Sequence, residues 1–198
     1  MMALSLCQKL CPEKLSFNLG ARLGDGVDGE VFDIVGESNK VVKLCVLYES
    51  YNNINEYYSQ TIAPVLTSLI SNPVDVFARV YTHEYLGTFQ SEFKKFILYS
   101  YTMEKLENIS EDEKKVFHTI ISHEDRGIEK NFSTKEVQEI LRGLSLGLDF
   151  DEKRVIFFYE NLKKSPINHT DIHVRNVMKD NKGYFKMVDF DRAKLNGE

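Results

Sequence analysis

The sequence predicts an α+β protein in which a five-stranded antiparallel sheet is followed by a mostly helical part. Five short stretches rich in β-branched and aromatic residues precede residue 104, and turn residues separate them. After residue 104, apolar residues recur at helical spacing behind residues that cap helices. A glycine-rich stretch joins the first two predicted strands with no helix between them, which favours an antiparallel hairpin over a β–α–β unit.

The composition is that of a globular protein with a hydrophobic core. The chain has 198 residues, of which 42% are hydrophobic and 12% aromatic. Its formal net charge of −5 disfavours a nucleic-acid binder that relies on phosphate attraction. No apolar stretch reaches the length of a membrane span, and the N-terminus lacks the apolar run of a signal peptide. Three cysteines give no disulfide framework, so we expect a cytoplasmic protein. From the charge and the apolar runs, we expect neither a nucleic-acid partner nor a membrane partner.

The sheet is predicted from five segments, which are residues 17–23, 31–35, 40–47, 76–85 and 96–103. Between the third and fourth segments, residues 49–62 are predicted as a helix because Ile54, Tyr58 and Ile62 lie at helical spacing. Pro64 is then expected to bend or restart this path.

Three further helices are predicted after the sheet. Ser110 and Ser133 are each followed three residues later by glutamate, which is the pattern of a capping box. A third helix is predicted from about Asp151, and Pro166 ends it. The polar residues 124–131 are predicted as a loop.

The glycine-rich stretch fits the pattern G-x-G-x-x-G-x-V, with its fixed positions at Gly24, Gly26, Gly29 and Val31. Glycine leaves backbone N–H groups open to phosphates, although an ordinary glycine-rich hairpin is the alternative interpretation. Three acids lie in or beside this stretch, namely Asp25, Asp28 and Glu30. A like-charge pair at 4 Å costs about 1 kcal/mol in water and about 4 kcal/mol at an effective dielectric of 20. We expect Glu30 to point away from the loop and Asp28 to remain near its tip.

The C-terminal part carries a second motif. Residues 169–176 fit H-x-D-x-x-x-x-N, with Asp171 and Asn176 at its chemically active positions. Residues 177–179 and 184–188 are predicted as short strands joined by a turn, and Asp189-Phe190-Asp191 follows. Such a hairpin would bring Asn176 and Asp189 close together, and their side-chain oxygens are the hard ligands that Mg²⁺ prefers. The alternative is that these residues only belong to a polar loop and a strand end.

These motifs, in this order, resemble the catalytic core of the protein-kinase-like superfamily. The resemblance covers about residues 17–194 and implies a two-lobed fold in a single kinase-like domain, residues 1–198. Within it, the N-lobe is about 15–103, the hinge 104–107 and a reduced C-lobe 108–198. The resemblance also implies ATP and Mg²⁺ as ligands. The sequence is similar to those of the pared-down kinases of phages and bacterial effectors. This similarity would place the protein in a host cytoplasm.

The resemblance assigns a role to each matching residue. Asp171 would orient or deprotonate the acceptor hydroxyl, while Asn176 and Asp189 would hold magnesium. Lys43 would contact the α- and β-phosphates, and Glu56, or Glu49 in reserve, would pair with it. The remaining nucleotide contacts are assigned to Gly24, Gly26, Gly29 and Val31, to Met103 as gatekeeper, and to the backbones of Glu104 and Leu106 at adenine.

Three departures from the family pattern shape the expected function. Thr170 replaces the arginine of H-R-D, so control through a phosphorylated activation loop is not expected. Asp191 replaces the glycine of D-F-G and would be an extra metal ligand or a surface acid. His173 stands where protein serine/threonine kinases have lysine, and H-x-D-x-H-x-x-N is similar to the loop of aminoglycoside and choline-type kinases. His173 would therefore aid the γ-phosphate or pack structurally.

The sequence leaves three functions open. The first is a minimal protein kinase, whose substrate or partner would complete the substrate lobe, because the activation segment and distal helices of the family are expected to be missing. The second is a small-molecule phosphotransferase, which His173 favours. The third is a catalytically weak, kinase-like adaptor, which Asp28 and Asp191 favour.

Overall fold

A computed structural model describes residues 3–14, 17–26, 28–48, 53–90, 94–121 and 133–196. It confirms the predicted α+β class and the five-stranded antiparallel sheet. The sheet has the strand order β1-β2-β3-β5-β4. Its strands are β1 (Leu19–Asp25), β2 (Gly29–Ile34), β3 (Glu37–Tyr48), β4 (Val80–Gln90) and β5 (Lys95–Glu104). None of the helices in the described ranges is long and apolar enough to cross a membrane.

The chain divides into two compact units. The first contains Met1–Pro73 and Arg79–Lys105, and the second contains Val74–Ala78 and Leu106–Glu198. The division at Lys105 falls within the predicted hinge, residues 104–107. The short segment Val74–Ala78 belongs to the second unit although it lies between two parts of the first.

In the first unit, one face of the sheet is covered by helix α1 (Ala3–Leu10), which was not predicted. A core forms between them because strand residues of one parity point to the same face. Its buried members include Leu6 and Cys7 of the helix and Phe32, Val42 and Leu44 of the sheet. The Cys7 thiol of this helix is buried, and burial raises its pKa to about 12. The N-terminal segment is therefore part of the folded first unit.

A helical segment packs on the sheet residues of the opposite parity. It consists of α2 (Ile54–Tyr57), a π-helical turn (Tyr58–Ile62) and α3 (Ala63–Ser71). The Tyr58 ring lies 5.2 Å from that of Tyr99. The Ala63 N–H bonds back to the Tyr58 carbonyl, and this wider turn accommodates Pro64, which has no N–H to donate. The prediction of a disturbance at Pro64 is confirmed, and residues 49–52 of the predicted helix lie outside the described residues.

In its described residues, the second unit combines three α-helices with two small sheets. The helices are α4 (Glu111–Ile121), α5 (Thr134–Leu144) and α6 (Glu152–Lys164). One sheet has the order β6-β8-β9 and the other pairs β7 with β10. These strands are β6 (Glu107–Asn108), β7 (Ile167–His169), β8 (Val177–Lys179), β9 (Phe185–Met187) and β10 (Ala193–Leu195). A buried aromatic cluster joins the layers, because the Phe117 ring lies 4.8 Å from Phe185 and 5.5 Å from Phe158.

Two predictions about element bounds need correction. The predicted strand 76–85 begins too early, because Phe77 forms a parallel bridge with Met187 in the second unit. The Met187 N–H also donates to the Val76 carbonyl at 2.7 Å. The apolar residues 76–78 therefore belong to the second unit, whereas the strand that follows them belongs to the first. The predicted loop at residues 124–131 lies outside the described residues.

Both predicted capping boxes are confirmed, and the first includes a partly buried ion pair. The Ser110 N–H donates to Glu113 Oε2 at 2.7 Å, and Lys179 Nζ lies 2.9 Å from the same oxygen. Burial opposes ionisation of Glu113, but the Ser110 N–H and the Lys179 ammonium outweigh it and keep the pKa of this carboxyl below 4.5. Because the folded-state pKa is lowered, this contribution to stability is present above pH 4.5 and is lost as the pH falls through the folded-state pKa.

We therefore expect Glu113→Gln to lower the free energy of unfolding by about 2 kcal/mol at pH 7. The difference from wild type should shrink as the pH falls below 4.5. Urea denaturation at pH 7, 5, 4 and 3 measures it. A difference that stays constant down to pH 3 would mean that the charge of Glu113 does not stabilise the fold.

Candidate functional site

In the second unit, His169 anchors the loop that follows β7. Its side chain is 1% exposed, and Nε2 lies 2.9 Å from the Val188 carbonyl oxygen. Because a carbonyl only accepts, Nε2 carries the proton in this bond. Burial lowers the pKa of His169, which opposes its protonation. His169 is therefore a structural residue that ties the loop to the end of β9.

An aromatic cluster fixes the residues on either side of Asp189. The Phe77 ring stacks on His169 at 6.3 Å and meets Phe190 edge-on at 6.0 Å. Phe190 is fully buried, and the Ala193 N–H donates to its carbonyl at 3.0 Å. Since Val188 is bonded to His169 and Phe190 is packed in this cluster, Asp189 is held between two fixed neighbours.

Asn176 links the loop to the β8–β9 hairpin. Its Nδ2 donates to the Asp171 carbonyl at 3.0 Å, and its own carbonyl accepts the Val188 N–H at 2.9 Å. The predicted hairpin is confirmed, with Val177 paired to Met187 and Gly183 in the left-handed region at φ 81°. The spacing predicted that Asn176 and Asp189 lie close together, and the structure places Asn176 between the Asp171 backbone and the residue before Asp189.

Asp189 has an unusual backbone conformation. Among the described non-glycine residues, it alone has a positive φ, at 68°. Aspartate tolerates this region better than most residues, but the conformation persists only where surrounding contacts enforce it. Such conformations cluster at functional sites, where they aim a side chain that regular strand geometry would direct elsewhere.

Asp171 and His173 form a loose polar pair. His173 Nε2 lies 3.6 Å from Asp171 Oδ2, which is too long for a direct hydrogen bond. The side chains are 34% and 43% exposed for Asp171 and His173, so both are accessible to solvent. His173 Nδ1 is buried without a hydrogen-bond partner in the described structure. The exposed parts of the Asp171 and His173 side chains are therefore accessible for proton transfer or anion contact.

The two other departures from the motif have structural roles. The Thr170 hydroxyl donates to the Arg192 carbonyl at 2.5 Å, which ties the loop to the turn before β10. Asp191 is only 6% exposed, so the expectation of a surface acid is wrong. Its burial follows from the pairing of β10 with β7, which brings this turn into the unit.

A metal would have to be held by few protein ligands. Among the described residues, no group of three or more His, Cys, Asp and Glu side chains could hold a metal ion. Magnesium commonly takes only one or two protein oxygens and completes its shell with water and phosphate. The oxygen donors of Asn176 and Asp189 fit that mode of binding.

In the first unit, the three glycines of the G-x-G-x-x-G motif differ in their surroundings. A Cβ on Gly29 would lie 2.5 Å from the Leu44 carbonyl and 3.2 Å from Lys43 Cε, so this glycine is required by packing. A Cβ on Gly24 or Gly26 would have no described atom within 4 Å. Packing of the described residues therefore explains one glycine of the motif and leaves the other two unexplained.

Lys43 lies on β3 beside this hairpin. It is paired with Val31 on one side and Tyr101 on the other, and Val41 is paired with Met103. Val31, Lys43 and Met103 therefore point to the same face, opposite the face that α1 covers. Lys43 is 6% exposed, and its Nζ lies 5.9 Å from the centre of the Tyr101 ring.

The carboxylate of Glu56, the predicted partner of Lys43, makes local hydrogen bonds in the structure. The Glu56 carboxylate accepts from Asn53 Nδ2 at 3.0 Å and from Gln60 Nε2 at 3.2 Å. These bonds are local to α2, where Asn53 is the N-cap. Pairing of Lys43 with Glu56 stays a prediction, and Glu49 lies outside the described residues.

The predicted adenine contacts fall at the end of β5 and just beyond it. Met103 is buried, whereas Leu106 is half-buried and belongs to the second unit. The Glu104 N–H donates to the Arg79 carbonyl at 2.9 Å, and the Glu104 carboxylate accepts the Arg79 N–H at 2.8 Å. Because its N–H is engaged, Glu104 would offer adenine only its backbone carbonyl.

Sequence reasoning missed Arg22, which contacts the acids of the glycine hairpin. Glu30 points away from the loop, as predicted, and pairs with Arg22 at 3.0 Å. Asp25 pairs with Arg22 at 2.9 Å. Only the position of Arg22 on the same strand as Gly24 could have indicated this contact.

No protein-family model matches the sequence, and no curated protein matches it.

Proposed function

We propose that the protein is an ATP- and Mg²⁺-dependent phosphotransferase, with a protein hydroxyl as the acceptor. The proposal includes a protein-kinase-like fold with an N-lobe at about 15–103, a hinge at 104–107 and a C-lobe at 108–198. The observation that carries it is the arrangement at the end of the β8–β9 hairpin. There, Asp189 has a left-handed backbone, and Asn176 bonds to the Asp171 backbone.

The residues of the second unit suit the metal and the acceptor. Asn176 and Asp189 would hold Mg²⁺, which when bound neutralises charge on the phosphate oxygens. Asp171 is accessible, and its backbone is fixed by Asn176, so its carboxylate is suited to orient an acceptor hydroxyl. His169 and Phe190 hold this arrangement through buried contacts and take no part in proton transfer.

The transfer step follows from these roles. The acceptor oxygen forms a bond to the γ-phosphorus while the bond from that phosphorus to the β–γ bridging oxygen breaks. ADP leaves with the electron pair of the broken bond, and the acceptor proton passes to Asp171. The protein supplies orientation and charge stabilisation, which are the main contributions that phosphoryl transfer requires.

The residues of the first unit suit nucleotide binding. Lys43 carries a positive charge on the same sheet face as Val31 and Met103, where it would contact the α- and β-phosphates. Gly24 and Gly26 leave open space above the hairpin backbone. The proposed adenine contacts are the backbones of Glu104 and Leu106, with the buried Met103 as gatekeeper.

A small-molecule acceptor is the second candidate. His173 lies 3.6 Å from Asp171 and is 43% exposed, so its imidazole would be available beside the transferred phosphate. We place either activity in the cytoplasm.

Label transfer from γ-labelled ATP and magnesium tests the proposed function. Wild type is incubated with a cell lysate beside Asp171→Asn, and Asp149→Asn serves as the matched control because Asp149 is an exposed acid of the same unit. Asp171→Asn should lower the transfer rate by about 10³-fold, since the proton acceptor is lost. Thermal unfolding should be unchanged, because the bond from Asn176 is made to the Asp171 backbone.

The labelled fraction decides between the candidates. Protein bands that vanish with Asp171→Asn would support a protein kinase, whereas label only in small molecules would favour the second candidate. Wild type that binds Mg·ATP but transfers nothing would indicate an adaptor. Equal labelling by wild type and Asp171→Asn would exclude the role given to Asp171.

A further inference from the structure

An ionic cluster around the buried Glu30 joins helix α1 to the glycine hairpin in the first unit. Glu30 is 4% exposed, and its two carboxylate oxygens have different partners. Oε2 accepts the N–H of Leu4 at 2.9 Å, and Oε1 lies 3.0 Å from Arg22 Nε. Arg22 Nη2 lies 2.9 Å from Asp25 Oδ2. One arginine and one helix N–H therefore serve both acids at the base of the hairpin.

The register of the hairpin explains why Arg22 is needed there. Asp25 and Glu30 are directly paired and flank the loop on either side. Like charges that face each other across two strands destabilise the pairing. Arg22, three residues before Asp25 on β1, contacts both carboxylates and offsets their repulsion. The two strands at the base of the loop can therefore stay paired despite their acids.

Burial makes both partners of Glu30 necessary. A buried carboxylate is costly unless it is paired and hydrogen-bonded. Leu4 lies in the first turn of α1, where N–H groups have no partner within the helix. Glu30 satisfies one of these groups, and its charge suits the positive end of the helix. The helix is held in place by Leu6 and Cys7, which pack against Phe32 and Leu44.

The loop itself contains few restraints that could fix its shape. Gly24 and Gly26 contact no described atom at their Cβ positions. Two backbone bonds do restrain it, from Gly26 N–H to the Gly29 carbonyl and from Val46 N–H to the Asp28 carbonyl, both at 2.8 Å. The position of the strands at its base therefore largely determines where its N–H groups point.

We propose that Arg22 and Glu30 are positioning residues, which use the docked helix α1 to hold the glycine hairpin in the conformation that receives the phosphates of ATP. The inference rests on the proposed function, because it assigns the hairpin a nucleotide to bind. Neither residue touches the reacting atoms. Loosening the cluster therefore lowers affinity for Mg·ATP and leaves the chemical step unchanged.

The test compares Glu30→Gln and Arg22→Lys with Glu37→Gln in the full chain. Glu30→Gln keeps the shape of the side chain and removes its charge, while Arg22→Lys keeps the charge but loses the planar fork that serves two acids. Glu37→Gln makes the same charge change in an exposed pair with Lys40 at the start of β3. Two quantities are measured: amide hydrogen exchange without nucleotide over residues 24–30, and kcat and KM for Mg·ATP.

We expect Glu30→Gln to raise the exchange rate of the Gly26 and Gly29 amides and the KM for Mg·ATP by about tenfold. Its kcat should stay within about twofold of wild type. Arg22→Lys should give an intermediate change, and Glu37→Gln should behave as wild type. Comparable thermal unfolding of all three variants would show that these changes are local.

Three results would overturn the inference. These are unchanged exchange in Glu30→Gln, faster exchange with an unchanged KM, or an equal effect from Glu37→Gln. Wild type that does not bind Mg·ATP would instead refute the proposed function. In that case the exchange rates of Glu30→Gln would still decide whether the cluster holds the hairpin.

Discussion

Asp189→Asn is expected to lower Mg²⁺-dependent phosphate transfer by about 10³-fold while the protein remains folded. Asparagine, like aspartate, tolerates the left-handed region in which this residue lies at φ 68°. The substitution therefore removes the negative charge proposed to bind magnesium and preserves the backbone. Transfer is measured with γ-labelled ATP over a range of magnesium concentrations, and Asp149→Asn is the control for loss of one acid in the same unit.

The backbone at Asp189 can be tested independently of its charge. Asp189→Gly should unfold at nearly the same urea concentration as wild type, because glycine adopts positive φ without strain. Asp189→Val should lose about 2 kcal/mol, since a β-branched residue is strained in this region. Both variants should be inactive. If Asp189→Asn retained full transfer activity at low magnesium, the metal role of this residue would be excluded.

The sheet could be predicted from the sequence because each strand is marked by the residue pattern of its own short segment. Alternating apolar residues and bounding turns identify all five segments of β1 to β5 within a few residues of their observed ends. The helix α1 and the strands β6, β7 and β10 were missed. β7 and β10 are three residues each and are stabilised by pairing with distant residues, so no periodicity could develop.

The residues 76–78 show a second limit of local patterns. They are apolar and precede a true strand, so they were included in it. Their backbone instead bonds to Met187, more than 100 positions later in the chain. Which of two cores a short apolar run joins depends on long-range packing, and a single sequence does not contain that information.

The sequence was sufficient to predict which residues of one hairpin lie together, but not which side chains from distant elements make contact. The spacing of Asn176 and Asp189 around a hairpin was sufficient to predict that they lie together, because a turn at Gly183 fixes the register. The same reasoning could not select the partner of Lys43. Helical spacing identifies Glu56 as a helix residue, but its carboxylate bonds locally to Asn53 and Gln60.

Substitution of the motif glycines by alanine is expected to separate folding from ligand binding. Gly29→Ala should lower the free energy of unfolding by about 3 kcal/mol, because the added Cβ would lie 2.5 Å from the Leu44 carbonyl and disturb the pairing of β2 with β3. At Gly24 and Gly26, an added Cβ would have no described atom within 4 Å, and neither residue has a positive φ. We expect each substitution to change stability by less than about 1 kcal/mol.

The two substitutions that barely change stability, Gly24→Ala and Gly26→Ala, should have the larger effect on nucleotide binding. Gly24→Ala and Gly26→Ala should weaken Mg·ATP binding by about tenfold, since a methyl group would stand where phosphates are proposed to approach the backbone. Urea unfolding and titration calorimetry of the three variants measure both quantities, with Gly143→Ala as a control at an exposed glycine that also has open space. If Gly24→Ala and Gly26→Ala bound Mg·ATP as tightly as wild type, the glycine pattern would have only the structural role that Gly29 already shows.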